Sequence, residues 1–260
     1  MEAITDSARD ARERYDRDGY AIFRAVVGPD LIGEASEHVA WLQARHPDVR
    51  PEQLGHRYVR DDPFWLRLVG DDRLLDIAQL FIGPDIALFA SHYISKPPRS
   101  GQPVLWHQDA AFWPLEPMRV VTLWLAIDHS TPRNGCVRLI PGSHRGDVAA
   151  MRANTAVDNV LGEEIAAEVD ESAAVDMVLA PGDVEVHHPN IVHGSNANAS
   201  PTRRCGLTIR YIPTSTRITG EQPFPSAFLL RGRPGVNEYQ PRPRYVTGEH
   251  FPFRDWRDWS

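Results

Sequence analysis

The sequence predicts a mainly β protein: an antiparallel two-sheet sandwich or jelly roll with helices packed outside it. Two observations support this fold class. Helical patterns occupy the first part of the chain, to about residue 82, and short apolar or alternating runs separated by Pro and Gly follow from residue 86. These runs are IALFASHYI, VVTLWLAID, CVRLIPGSH, DMVLAPGDVEV and CGLTIRYIP. Several short strands separated by turn residues are typical of sandwiches and jelly rolls.

The helical portion contains three predicted helices. Residues 5 to about 16 form a polar helix, and a third helical stretch runs from Phe64 to Leu80. The second helix begins after Asp30, where apolar residues recur at the helical spacings of three and four: Ile32, Ala35, Val39 and Leu42. We expect these helices to pack against the sandwich.

The whole chain of 260 residues is predicted to be a single domain. It has a helical portion over about 1–82, a jelly-roll core over about 86–213 and a C-terminal arm over about 214–260. Residues 146–172, rich in Ala, Asp and Glu, interrupt the strands and are interpreted as an insertion that could cover a pocket. The arm is dense in Pro, Arg and aromatic residues, which favours an ordered but irregular segment rather than another sheet.

Composition limits the class of partner. Lys and Arg number 28 against 35 for Asp and Glu, a net charge of -7, so no general basic field attracts nucleic acid or an anionic membrane. No apolar stretch approaches the roughly 20 residues of a membrane span. The two cysteines, Cys136 and Cys205, form no disulfide framework or metal-type spacing. We expect a cytoplasmic protein with a small-molecule substrate, and any metal ligands to be His and carboxylate.

The strongest local motif is Trp106-His107-Gln108-Asp109. Side chains alternate faces on an extended strand, so His107 and Asp109 should project together while Gln108 points away. A later turn carries His193, although His187 and His188 lie close to it in the sequence. Two histidines and one carboxylate match the facial triad that leaves coordination positions open on non-haem iron.

Open positions allow a 2-oxoacid to chelate the metal and dioxygen to bind beside it, so the predicted cofactors are Fe(II), 2-oxoglutarate and dioxygen. The distal carboxylate of 2-oxoglutarate needs a cation, and an arginine fork pairs with it bidentately. Arg203, Arg204 and Arg210 follow His193. Strand parity excludes Arg203 and leaves Arg204 and Arg210 as alternatives.

These motifs resemble the phytanoyl-CoA dioxygenase family of Fe(II) and 2-oxoglutarate-dependent oxygenases. The resemblance runs from about residue 14 to 213 and is carried by DRDGYAIFRAVVGPDLI, ISKPPRSGQPVLWHQD, TLWLAIDHSTPRNGCVRLIPGSH and PGDVEVHHPNIVHGSNANAS, with the arginine that follows. It implies a cupin-like double-stranded β-helix with iron ligands at His107, Asp109 and His193. It also implies that Arg204 is the arginine that binds 2-oxoglutarate, together with Ser195, Trp124, His92 and, more weakly, Gln102 and Thr122.

Two further residues are interpreted through the resemblance. Halogenating relatives replace the carboxylate ligand by a small residue, so Asp109 disfavours halogenation. His144, within Pro141-Gly142-Ser143-His144, is interpreted as a turn or supporting residue rather than a ligand.

The predicted reaction is oxidation of an unactivated C–H bond of a small molecule, by hydroxylation or by oxidative cyclisation or bridge formation. Aromatic and polar residues near the motif and in the arm suit a polyketide or sugar-containing secondary metabolite, although they could equally pack the arm: Phe112, Trp113, Arg231, Arg233, Tyr239, Arg242 and Arg244. The alternative is a non-catalytic metal-containing jelly-roll binding protein. That reading, and a cupin-like metal isomerase or hydrolase, would leave Arg204 unexplained.

Overall fold

The computed structural model describes residues 8–259. Its helices are α1 (Ala8–Asp18), α2 (Pro29–Arg45), α3 (Pro63–Val69) and α4 (Asp72–Ile82). The first three residues of the predicted first helix, 5–7, lie outside the described residues. The predicted helix from Phe64 to Leu80 is wrong as a single element, because Gly70 ends α3 and the Asp71 carboxylate accepts a hydrogen bond from the Arg73 backbone N–H to begin α4.

Two antiparallel sheets form the body of the protein, which confirms the predicted jelly roll. The larger sheet contains six strands in the spatial order β1 (Tyr20–Phe23), β10 (Val184–His187), β5 (Val121–Ala126), β12 (Arg204–Pro213), β2 (Ile86–Lys96) and β14 (Phe228–Arg231). The smaller sheet has the order β3 (Val104–His107), β11 (His193–Ser195), β6 (Val137–Leu139) and β9 (Val175–Asp176).

Two short two-stranded antiparallel sheets complete the strands: β4 (Leu115–Glu116) with β13 (Arg217–Ile218), and β7 (Met151–Ala153) with β8 (Glu163–Ile165). The second pair lies in the predicted insertion at 146–172. Its connecting loop places Val160 and Leu161 at a cavity between the sheets, and the Val160 N–H donates to the Pro103 carbonyl at 3.0 Å. The insertion therefore covers a pocket, as its position in the sequence indicated.

Strand β12 is buried on both faces. Its odd-numbered residues, Cys205, Leu207, Ile209 and Tyr211, join the apolar core beneath the helices. The even-numbered Arg204, Thr208 and Arg210 line the cavity on the opposite face. Because successive side chains on a strand point to opposite faces, one strand supplies both the core and the cavity wall.

The C-terminal arm is part of the fold, and the prediction of a purely irregular arm is wrong for Phe228–Arg231. These residues pair with Ile86–Leu88 of β2, whose backbone groups would otherwise form a free sheet edge. Phe228 packs against Trp65 of α3, with ring centroids 5.9 Å apart. Farther along the arm, Phe251 and Phe253 are buried in the same core as the helices.

None of the described helices is long and apolar enough to cross a membrane.

Substitution of a buried side chain of the arm tests whether the arm stabilises the core. We expect Phe251→Ala to lower the free energy of unfolding by about 3–5 kcal/mol, because the ring is buried against His38 and Phe64 and its loss leaves a cavity. Val236→Ala, at a position 55% exposed on the same arm, should change the free energy of unfolding by less than about 0.5 kcal/mol. Denaturant unfolding measures both, and equal small effects would show that the arm does not support the core.

Candidate metal centre and its cavity

A cavity of about 350 Å³ lies between the two sheets. The larger sheet contributes His92, Trp124, Arg204 and Arg210, and the smaller sheet contributes His107 and His193. Five aromatic side chains also line the cavity: Phe89, Phe112, Trp113, Trp124 and Phe224. The volume falls within the range of small-molecule sites in proteins.

The three residues predicted as iron ligands come together at this cavity. His107 on β3 and His193 on β11 are directly paired across the smaller sheet, so their imidazoles share one face. Potential ligand atoms of His107, Asp109 and His193 all lie within 4.8 Å of one another. Strand β3 ends at His107 and Asp109 begins a short 3₁₀ turn, so the pair is not carried on one strand as the motif suggested.

Gln108 nevertheless points away from the centre. Its side-chain amide donates to the Asn190 carbonyl at 2.7 Å, and its Oε1 accepts from the Ala149 N–H at 2.8 Å. These bonds fix the segment between His107 and Asp109 and leave the two potential ligands facing the cavity.

Hydrogen bonds orient both imidazoles. Nδ1 of His107 donates to the Leu105 carbonyl at 2.9 Å, and Nδ1 of His193 donates to the Ile191 carbonyl at 3.0 Å. Because a carbonyl only accepts, each Nδ1 carries a proton and the Nε2 lone pair of the neutral ring is available to a metal. Nε2 of His107 lies 3.7 Å from Oδ1 of Asp109.

The charge states suit a cation. Burial and the neighbouring His107 and His187 lower the pKa of His193 well below its usual range, which keeps the ring neutral. Burial would raise the pKa of Asp109, but Arg210, His107 and His187 hold that pKa well below its ordinary value. Two imidazoles and one carboxylate fit Fe(II) and leave three positions for other ligands.

His187 lies beside the centre but is engaged by acidic side chains, and His188 makes its contacts outside the centre. Nδ1 of His187 contacts Glu185 at 2.9 Å; burial opposes its protonation, but Glu185 and Asp109 raise its pKa to about 9. A protonated ring is a donor rather than a metal ligand, and its Nε2 lies 3.6 Å from Asp109. His188 accepts from the Asn190 N–H and packs near His144, whose Nε2 contacts the Asp16 carbonyl.

Arg204 lies at one end of the cavity with part of its guanidinium free. Nε donates to the Gly135 carbonyl at 2.9 Å, and Nη2 donates to the same carbonyl and to Ser195 Oγ. Nη1 is buried without a hydrogen-bond partner among residues 8–259. Gly135 has φ +76°, and a Cβ there would lie 2.4 Å from the Asn196 carbonyl oxygen, so glycine is required where the Arg204 acceptor sits.

Lys96 is a buried residue near Arg204 that the sequence analysis missed. Its Nζ donates to Ser195 Oγ at 2.7 Å and to the Asn196 carbonyl. Burial and the nearby Arg204 lower the pKa of Lys96 to about 5. Lys96 has the same strand parity as His92, so the alternation along ISKPP could have identified it.

The Ser195 hydroxyl is oriented by these two donors. It has two lone pairs and one proton, and Lys96 and Arg204 both donate to its oxygen. The hydroxyl proton is therefore available for a further acceptor. Beside the free Nη1 of Arg204, this makes a site for a carboxylate.

The remaining predicted residues divide into two groups. Trp124 and His92 line the cavity, and the Arg204 guanidinium lies 5.3 Å from the Trp124 ring centroid. Thr122 and Gln102 do not line it. The Thr122 hydroxyl instead lies 3.3 Å from Oδ2 of Asp109, while the Gln102 backbone N–H donates to Glu52 at 2.8 Å.

Of the arm, Phe224 is the residue that lines the cavity. Arg231 pairs with Asp72 and Asp76 on α4, and Tyr239 packs in a small apolar cluster with Phe224. Among the described residues, the arm therefore contributes one aromatic wall to the cavity, while Arg231 attaches the arm to α4 and Tyr239 packs in an apolar cluster.

Known proteins are similar to this chain over most of its length. The family model for phytanoyl-CoA dioxygenase matches residues 15–206. Ectoine dioxygenase of Sphingopyxis alaskensis is 28% identical over 93% of this chain and 88% of its own length. The solved apo form of the non-haem monooxygenase ThoJ superimposes with a TM-score of 0.77 and 28% identity, covering 96% of this chain and 92% of that chain.

A third structure supports the fold alone. The epimerase SnoN, solved with Fe³⁺, alpha ketoglutarate and nogalamycin RO, has a TM-score of 0.69 at 21% identity and covers 95% of this chain and 98% of that chain. From the family match together with these relatives, the chain belongs to the phytanoyl-CoA dioxygenase family and is a non-haem iron oxygenase that depends on 2-oxoglutarate.

Proposed function

We propose that this oxygenase oxidises an unactivated C–H bond of a secondary-metabolite substrate that contains polyketide rings or a sugar, by hydroxylation or by oxidative cyclisation or bridge formation. The observation that carries the proposal is one cavity with a two-histidine, one-carboxylate cluster at its centre, a partly free buried arginine at one end and aromatic walls at the other.

In this proposal His107, Asp109 and His193 hold Fe(II). Arg204 Nη1 and the Ser195 hydroxyl bind the distal carboxylate of 2-oxoglutarate, and Trp124 and His92 line its path to the metal. When both are bound, oxidative decarboxylation of 2-oxoglutarate by dioxygen supplies the oxidant for the substrate. The chain itself binds, orients and shields the reacting groups.

The close packing of β12 against Trp124 supports this arrangement. A Cβ at Gly206 would lie 2.0 Å from Cζ2 of Trp124, so glycine on the inner face of β12 leaves room for the indole beside Arg204. The indole in turn covers the guanidinium and limits its contact with water, which strengthens a charge-assisted hydrogen bond to a carboxylate.

The substrate class follows from the cavity walls. Phe89, Trp113 and Phe224 form an apolar aromatic surface, and Phe112 is 41% exposed beside the His107 ring. Flat rings and the apolar faces of sugars pack well against such side chains. The position of the substrate carbon relative to the metal then selects hydroxylation or ring and bridge formation.

The metal assignment predicts a spectroscopic signal. Anaerobic addition of Fe(II) and 2-oxoglutarate should produce the weak visible charge-transfer band of the chelate, and Asp109→Ala should lose both the band and turnover because a ligand is removed. Asp147→Ala, at a nearby exposed carboxylate, should retain both. Iron-dependent turnover in Asp109→Ala equal to that of the parent protein would contradict the assignment.

The role of Arg204 is tested with its neighbour as the matched control. Arg204→Ala should raise the 2-oxoglutarate concentration for half-maximal uncoupled decarboxylation by about 10- to 100-fold, because a buried charge-assisted contact is lost. Arg203 faces the other way and pairs with Asp128 at 2.8 Å, so Arg203→Ala should change this concentration less than about twofold. Equal effects of the two substitutions would refute Arg204 as the anchor.

The substrate class predicts which compounds accelerate the reaction. Polycyclic aromatic polyketides and their glycosides should increase the rate of 2-oxoglutarate consumption above the uncoupled rate, as measured by oxygen uptake. Acyl-CoA thioesters with straight acyl chains should leave the rate unchanged, since the acyl chain offers no ring to the aromatic walls. Stimulation by an acyl-CoA thioester alone would contradict the proposed class.

A further inference from the structure

Arg210 is a second buried arginine at the cavity; it contacts Asp109 and His92, but part of its guanidinium has no role in the metal centre or the 2-oxoglutarate site as described above. It shares the inner face of β12 with Arg204 but lies six residues farther along, a distance of about 20 Å on an extended strand. The two guanidinium groups therefore belong to opposite ends of the cavity that both residues line.

The edge of the Arg210 guanidinium formed by Nε and Nη2 makes no hydrogen bond with the described residues. Nη1 donates to His92 Nδ1 at 2.9 Å and to Thr208 Oγ1 at 2.8 Å, which fixes the group. Nε is buried without a hydrogen-bond partner in the described part of the chain. Oδ1 of Asp109 lies 3.7 Å from Nη2, longer than a hydrogen bond.

In another arginine of this protein, the edge formed by Nε and Nη2 binds a carboxylate. In Arg203, Nε and Nη2 contact the two oxygens of Asp128 at 2.8 and 2.9 Å. In Arg210, Nε has no acceptor among the described residues, and Nη2 has only the longer 3.7 Å contact with Asp109. A buried donor without an acceptor is costly, so a ligand that supplies two oxygens would stabilise this edge.

The charges around Arg210 also favour an anionic ligand. Arg210 is 8% exposed, and its ion-pair partner is Asp109. Under the proposed function Asp109 shares its negative charge with the iron, and the chelating carboxylate of 2-oxoglutarate offsets the remaining charge of the metal. The guanidinium then keeps little counter-charge of its own in a dry cavity, where an incoming anion would compensate it.

The surroundings indicate what the anion is attached to. The Trp113 ring centroid lies 5.2 Å from the Arg210 guanidinium, and Phe89 packs edge-on against Trp113 and stacks on Phe224. An acid whose carboxylate is bonded directly to a flat ring would place the anion on Arg210 and the ring against these aromatic side chains.

We propose that the Nε and Nη2 edge of Arg210 binds a carboxylate on the ring system of the prime substrate, and so selects ring-bearing acids. The inference rests on the proposed function, which supplies the metal that Asp109 holds. Arg210 acts in this proposal as a specificity-determining residue, separate from the Arg204 site for 2-oxoglutarate.

The test measures binding of 2-naphthoate and of its neutral analogue 2-naphthamide to anaerobic protein loaded with Fe(II) and 2-oxoglutarate, by calorimetry. The parent protein should bind the carboxylate at least tenfold more tightly than the amide. Arg210→Gln should weaken naphthoate binding about 10- to 100-fold and remove this preference, and Arg210→Lys, which keeps the charge but not the fork, should be intermediate. Arg233→Gln, at an exposed position in the arm, is the matched control and should bind like the parent.

The same samples separate the two proposals. Because Arg210 also contacts Asp109 and His92, the inference stands if Arg210→Gln retains its circular dichroism spectrum and the visible band and loses at least tenfold more affinity for naphthoate than for 2-oxoglutarate or iron. It is overturned if naphthoate does not bind the parent, if Arg210→Gln binds naphthoate as the parent does, or if iron or 2-oxoglutarate binding falls by the same factor. Absence of the visible band in the parent would instead refute the proposed function.

Discussion

The two-sided burial of β12 is the constraint on which the rest of the structure depends. Four of its side chains, Cys205, Leu207, Ile209 and Tyr211, join the core beneath the helices. The alternate positions carry two arginines, a glycine and a threonine toward the cavity. Strands β2 and β5 flank it, and both ladders keep one register from Gly206 to Arg210. A shift of one residue there would turn the cavity-facing side chains into the core and the apolar side chains into the cavity.

The smaller sheet brings residues that are distant in the sequence together at one point. His107 and His193 are far apart in the chain, but the pairing of β3 with β11 places them opposite each other. Backbone carbonyls at Leu105 and Ile191 then fix their tautomers. The orientation of the proposed ligands therefore depends on local backbone geometry as well as on the side chains themselves.

Buried charge is distributed along the cavity. Arg204 is held by the Gly135 carbonyl and Ser195 at one end, and Arg210 is held by His92 and Thr208 at the other. Between them, Asp109 is surrounded by two histidines and a guanidinium. Each arginine keeps at least one donor without a partner among residues 8–259, which is the arrangement expected of a site whose ligands complete its charges.

Apolar periodicity and the His-x-Asp spacing are local properties of the chain, so the sequence pattern predicted the jelly-roll class, the second helix and the pair His107 and Asp109. The family resemblance selected His193 as the third ligand. The pattern could not show that the third helical stretch breaks at Gly70, because capping by Asp71 competes with continuation of the helix. Strand parity left Arg204 and Arg210 equivalent, the resemblance favoured Arg204, and the tertiary structure gave the two arginines different neighbours. Lys96 and the strand Phe228–Arg231 likewise follow from long-range packing and pairing, which no short sequence window records.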